Sequence, residues 1–100
     1  MEIIHKEAKC RFVVTLDGVT AHVAYRIENG GLDIRHTIVP EAIGGRGVAA
    51  ALVKAAYDYA LSEGLTPVAT CAYAVAWLQR HPEYKGCSSA EYAQGNSCAL

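Results

Sequence analysis

The sequence predicts a mixed α/β domain: an antiparallel meander, then a β-α-β unit and a short closing helix. Three observations predict it. Up to Pro40 the chain alternates apolar and polar side chains between tight-turn dipeptides. A glycine-rich loop, Gly44-Gly45-Arg46-Gly47, then opens an alanine-rich stretch with helical spacing. A short apolar run, Thr66–Cys71, follows and suits a fully buried strand.

Taken in order, Ile3–His5 is a candidate edge strand. Arg11–Leu16 is rich in β-formers and ends at Asp17-Gly18, a two-residue hairpin signal. In Val19–Glu28, Val19, Ala21, Val23, Tyr25 and Ile27 share one face. Asn29-Gly30-Gly31 turns the chain again. Leu32–Val39 alternates with Leu32, Ile34, His36 and Ile38 on one face and Asp33, Arg35, Thr37 and Val39 on the other. Pro40 ends that strand. The helix from Val48 has Ala49, Leu52, Val53, Ala56 and Ala60 on its apolar side, Lys54, Asp58 and Ser62 on its wet side, and Gly64 as its C-cap. A helix between two strands is a crossover, so Thr66–Cys71 is expected parallel to Leu32–Val39. Tyr73–Arg80 is a short helix stopped by His81-Pro82. The division is one domain over residues 1–84 and an irregular tail over residues 85–100.

Composition narrows the function classes. The 100 residues are 52% hydrophobic and 19% charged with a net charge of -1, which excludes a disordered chain and gives no basic excess for nucleic acid or single-sign field for a membrane surface. The N-terminal MEIIHKEAK is too charged for a signal peptide, and the expectation is a soluble, cytoplasmic protein. Cys10, Cys71, Cys87 and Cys98 contain no CxxC pair and are expected to be reduced, and the scattered histidines form no metal-ligand spacing, so no metal is expected.

The chemistry of IVPEAIGGRGVAAAL, residues 38–52, is anion binding. Glycines let backbone approach a ligand, and a helix N-terminus offers unpaired N–H groups with partial positive charge. Arg46 adds a cation at the mouth. Neither the Walker nor the dinucleotide pattern fits the spacing. A plain strand-to-helix turn remains the other meaning of the loop.

This order of elements, with Gly44-Gly45-Arg46-Gly47-Val48-Ala49 at the helix start, resembles the GNAT superfamily of acetyltransferases and its fingerprint [QR]-x-x-G-x-[GA]. Pro67-Val68-Ala69-Thr70-Cys71-Ala72-Tyr73, Arg80-His81-Pro82 and His36-Thr37-Ile38-Val39-Pro40 are similar to its small single-domain, N-acetyltransferase-like subfamily. The resemblance implies a GNAT-like fold that lacks the usual early helices. It implies acetyl-CoA as co-substrate, with pyrophosphate on the amides of Gly44, Gly45, Arg46, Gly47, Val48 and Ala49 and the pantetheine arm along Ile38 and Val39. It also implies an acceptor amine, on a small molecule or exposed on a protein. Gly44 stands where Gln or Arg is usual, and Leu78 where many members carry the acid Tyr, so a CoA-binding module with little catalysis is the alternative.

Two residues are candidates for the chemistry. Cys71 ends the buried strand beside the expected thioester, as a nucleophile, a weak acid or an inert buried thiol. His36, on the adjacent strand, is either a base or a core histidine, and the two could form a pair. Tyr73, Trp77 and Tyr84 read as packing residues.

Overall fold

A computed structural model describes residues 1–93. Its six strands form one sheet in sequential order, β1 (Ile3–Lys6), β2 (Arg11–Leu16), β3 (Val19–Glu28), β4 (Gly31–Ile38), β5 (Thr66–Ala69) and β6 (Cys87–Ser88). β1 to β4 pair antiparallel, as tight turns require, while β5 joins β4 and β6 joins β5 in parallel. The crossovers are helices α1 (Val48–Ser62) and α2 (Ala72–Arg80). Both lie on one side of the sheet, with the Trp77 ring 5.8 Å from that of Tyr57. That placement follows from two right-handed crossovers made in the same direction.

The core fills the space between the sheet and these helices. Val14, Ala21, Val23, Leu32 and Ile34 from the sheet meet Leu52, Val53, Ala56, Tyr57 and Ala60 from α1. Tyr57 is wholly buried and donates its hydroxyl to the Val68 carbonyl at 2.7 Å, which ties α1 to β5. At the N-terminal edge His5 stacks on Phe12 with ring centres 4.0 Å apart and bonds the Tyr25 hydroxyl at 2.6 Å, holding β1 in place.

Two expectations are corrected. The sequence predicts an irregular tail over residues 85–100, yet Cys87–Ser88 extends the sheet, α3 (Ala90–Ala93) follows, and the Ser89 amide bonds the Ala69 carbonyl at 2.8 Å. The rest of that tail, Cys98 included, lies outside the described residues; Cys10, Cys71 and Cys87 are free thiols. The second correction concerns β4. Its register against β3 shifts, so that Tyr25 pairs with Ile34 but Ala24 with His36. Arg35 is the extra residue of a bulge, and every side chain after it changes face. Thr37 therefore joins Leu32 and Ile34 on the core side, while His36 and Ile38 are exposed on the opposite one.

Candidate functional site

The bulge also opens the sheet. β4 and β5 pair from Gly31–Thr66 to Ile34–Ala69, and the amides of Thr70 and Cys71 both turn to the Ile34 carbonyl. Beyond that point β5 gives way to α2, while β4 continues to Ile38 with β3 alone. Parallel strands that part in this way leave a gap at their C-terminal ends, where sheets of this class take ligands.

The gap contains a cavity of about 360 Å³ lined by Thr37, Ile38, Val39, Ala49 and Tyr73. A cleft of about 320 Å³ adjoins it through Val39, Ala49 and Tyr73 and runs along Gly44, Gly45, Gly47, Val48 and Ala50. The two make one channel from the glycine loop to the end of β4, and seven of the eight residues expected to hold the cofactor line it. A separate hollow of about 440 Å³ lies at the start of β4 and β5, lined by Arg26, Asn29, Asp33, Thr66 and Ala90 among others. The hollow lies at strand N-termini, and the helix that starts beside it, α3, has only four residues, so the channel is the better site.

The loop presents its backbone to the channel. Gly45 and Gly47 are left-handed, with φ of +77° and +75°. Gly47 is the N-cap of α1 without a side-chain cap, and the first helical bond runs from the Ala51 amide to the Gly47 carbonyl. The amides of Val48, Ala49 and Ala50 are therefore free to meet an anion. No acidic residue sits in the first turn to neutralise them. Arg46 differs from expectation. Instead of a mobile cation at the mouth, it pairs with Asp17 of the β2–β3 turn at 2.7 Å.

Cys71 and His36 are not brought together. Cys71 is fully buried at the N-cap of α2, and its thiol donates to the Thr37 hydroxyl oxygen at 3.7 Å. His36 faces the open side of the sheet because of the Arg35 bulge. Thr37 is thus the polar group between the thiol and the cavity, and sequence reading missed it because regular alternation put it on the wrong face. Tyr73 was also missed as a site residue. It lines both parts of the channel, and among the described residues its hydroxyl has no partner. Its place after the Thr70-Cys71 strand end was the available signal. Among the described residues no three His, Cys, Asp or Glu side chains are grouped to hold a metal, and no helix is long and apolar enough to cross a membrane.

Comparison with known proteins agrees with this geometry. Residues 11–87 match the GCN5-related N-acetyl-transferase family. Protein NATD1 of Gallus gallus is 33% identical over 85 residues, which cover 82% of this chain and 77% of the relative. The human Protein NATD1 is likewise 33% identical, with 82% and 75% covered. A GCN5-like protein from Staphylococcus aureus, solved by NMR in solution, superposes with a TM-score of 0.68 at 30% identity, covering 88% of this chain and 87% of its own.

Proposed function

The chain belongs to the GCN5-related N-acetyltransferase family, and on that premise we propose that it transfers an acetyl group from acetyl-CoA to an amine. The observation that carries this is the channel itself, which joins an uncapped helix N-terminus to the gap between β4 and β5. The loop amides of residues 44–50 suit a pyrophosphate, and the largely apolar stretch along Ile38, Val39 and Ala49 suits a pantetheine arm.

In the transfer, the amine nitrogen bonds to the thioester carbonyl carbon, the C–S bond breaks, and the amine proton goes in the end to the thiolate. The Thr37 hydroxyl accepts from the Cys71 thiol, which leaves its own proton free to point into the cavity. In this reading Cys71 and Thr37 form a donor relay toward the carbonyl oxygen or the leaving sulfur. His36, on the other side of β4, serves the incoming amine as base. Cys71 then acts as a positioning residue and not as a nucleophile, since its sulfur has no exposure.

A second reading, a CoA-binding module with little turnover, is favoured by the lining, in which Tyr73 is the only titratable side chain of the inner cavity among the described residues. One experiment separates them. Acetyl-CoA at a hundredfold excess over its Kd should stabilise the protein by about 2.7 kcal/mol, and candidate amines should then release free CoA. Cys71→Ser should lower kcat and kcat/KM together while leaving the stabilisation intact. Stabilisation without release supports the module. Unchanged melting at millimolar CoA overturns both.

A further inference from the structure

We propose that the acceptor is the amino end of a peptide carrying acidic side chains next to that end, bound across the open face of the sheet. The proposal rests on the acetyl-transfer reading above and adds the class of substrate to it.

The face is defined by register. Lys6 pairs with Arg11, Arg11 with Ala24, and Ala24 with His36, so these four side chains form one line across β1 to β4. Beside it runs a second line, Ile4, Val13, His22 and Ile38. Lys6, Arg11 and His36 are exposed, and so are Ile4 and Ile38, at 51% and 44%. Neither line contains a carboxylate, although the chain as a whole has ten acidic residues against nine basic ones. Among the described residues neither Lys6 nor Arg11 has an ion pair, and no element covers this part of the sheet. The nearest carboxylates on the same face, Asp33 and Glu28, are already engaged by Arg35 and Arg26, while elsewhere Glu7 accepts from Tyr59 and Asp17 holds Arg46. Along these two lines the charge has a single sign, where a merely solvating surface mixes both.

The two lines lead to the reaction site. Ile38 ends the second line and lines the cavity, and His36 stands two residues before it on the same face. From His36 to Lys6 the line spans three strand spacings, roughly 14 Å. That is longer than a single amino acid and matches about four residues of extended chain at roughly 3.4 Å each. The face is flat and unwalled, which suits a chain end better than a small molecule, since small molecules need concave sites. With the terminal amine at His36 and Ile38, the next residues pass over Ala24 to Arg11 and Lys6. Cations there attract carboxylates, while Ile4 and Val13 take apolar contacts.

The test uses two peptides identical except that residues two to four are Asp in one and Asn in the other. CoA release is measured for the wild type and for Lys6→Glu combined with Arg11→Glu, and peptide affinity is measured in parallel by fluorescence anisotropy. The wild type should favour the Asp peptide on the order of tenfold in KM or Kd, and salt should shrink the preference. The double variant should lose or invert it, with the melting shift caused by CoA unchanged. Equal affinity for the two peptides, or a preference that survives charge reversal, overturns the proposal. Failure of CoA to shift melting overturns the acetyl-transfer reading instead, and the anisotropy comparison still judges the surface.

Discussion

At the scale of single residues, the site depends on small displacements that the sequence does not advertise. Arg46 is held by Asp17 through an ion pair whose side chains are about half and more than two-thirds exposed. Such pairs contribute little to stability, but this one competes with any phosphate for the guanidinium. Asp17→Asn should leave the melting temperature nearly unchanged and tighten CoA binding about two- to fivefold by freeing the cation; calorimetric titration decides it, and unchanged affinity would remove Arg46 from the phosphate site. His22 reports on the open face. Partial burial, then the nearby charges of Arg11 and His36, push its pKa below the ordinary 6.5. A histidine whose folded pKa is depressed binds fewer protons folded than unfolded, so stability falls as pH drops from about 6.5 toward the lowered value and is level below it. His22→Gln should flatten that part of a melting-temperature profile. The Asp58 carboxyl, held below its usual 3.8 by bonds from Lys54 and Tyr84 against the opposing effect of burial, acts only at lower pH.

At the scale of elements, most boundaries were legible. The strands of residues 11–16 and 19–28 agree with their alternation, and α1 with its helical spacing, although its C-cap is Glu63 and the left-handed Gly64 follows one residue later. The side chains of β4 were not legible beyond Ile34. Arg35 carries no glycine or proline signal, and a bulge is settled by how two strands meet, which no single strand encodes. One extra residue moved His36 out, Thr37 in and Ile38 to the open face, and so separated Cys71 from the histidine expected beside it. The apolar run Thr66–Cys71 likewise predicts a longer strand than the Thr66–Ala69 that forms, since Cys71 is extended but already caps α2. The junction of α1 and β5 rests on the Tyr57 hydroxyl, whose ionisation burial suppresses. Tyr57→Phe would leave the Val68 carbonyl without its partner. Such losses cost roughly 1–3 kcal/mol, and each kcal/mol lowers Tm by about 4–8 °C in a domain of this size. Calorimetry checks this; an unchanged Tm would mean that the bond adds nothing to the junction.

At the scale of the molecule, both described helices of any length lie on one side of the sheet, and the other side is left to the solvent over β1 to β3. That asymmetry places the channel between two regions of different character. The glycine loop and the start of α1 form one end, and the exposed line from His36 to Lys6 leads away from the other. The glycine loop was legible because its chemistry is local: left-handed glycines and an uncapped helix start follow from neighbouring residues. The cavity was legible only as a position, because its lining comes from the end of β4, α1 and α2 at once. The central claim is that this channel holds acetyl-CoA, and the most direct measurement is a titration of the labelled protein with acetyl-CoA followed by amide NMR. The account predicts shifts concentrated at residues 44–50, at Thr37, Ile38 and Val39, and at Tyr73. Silence at millimolar ligand, or shifts confined to the hollow of Arg26, Asn29 and Thr66, would contradict it.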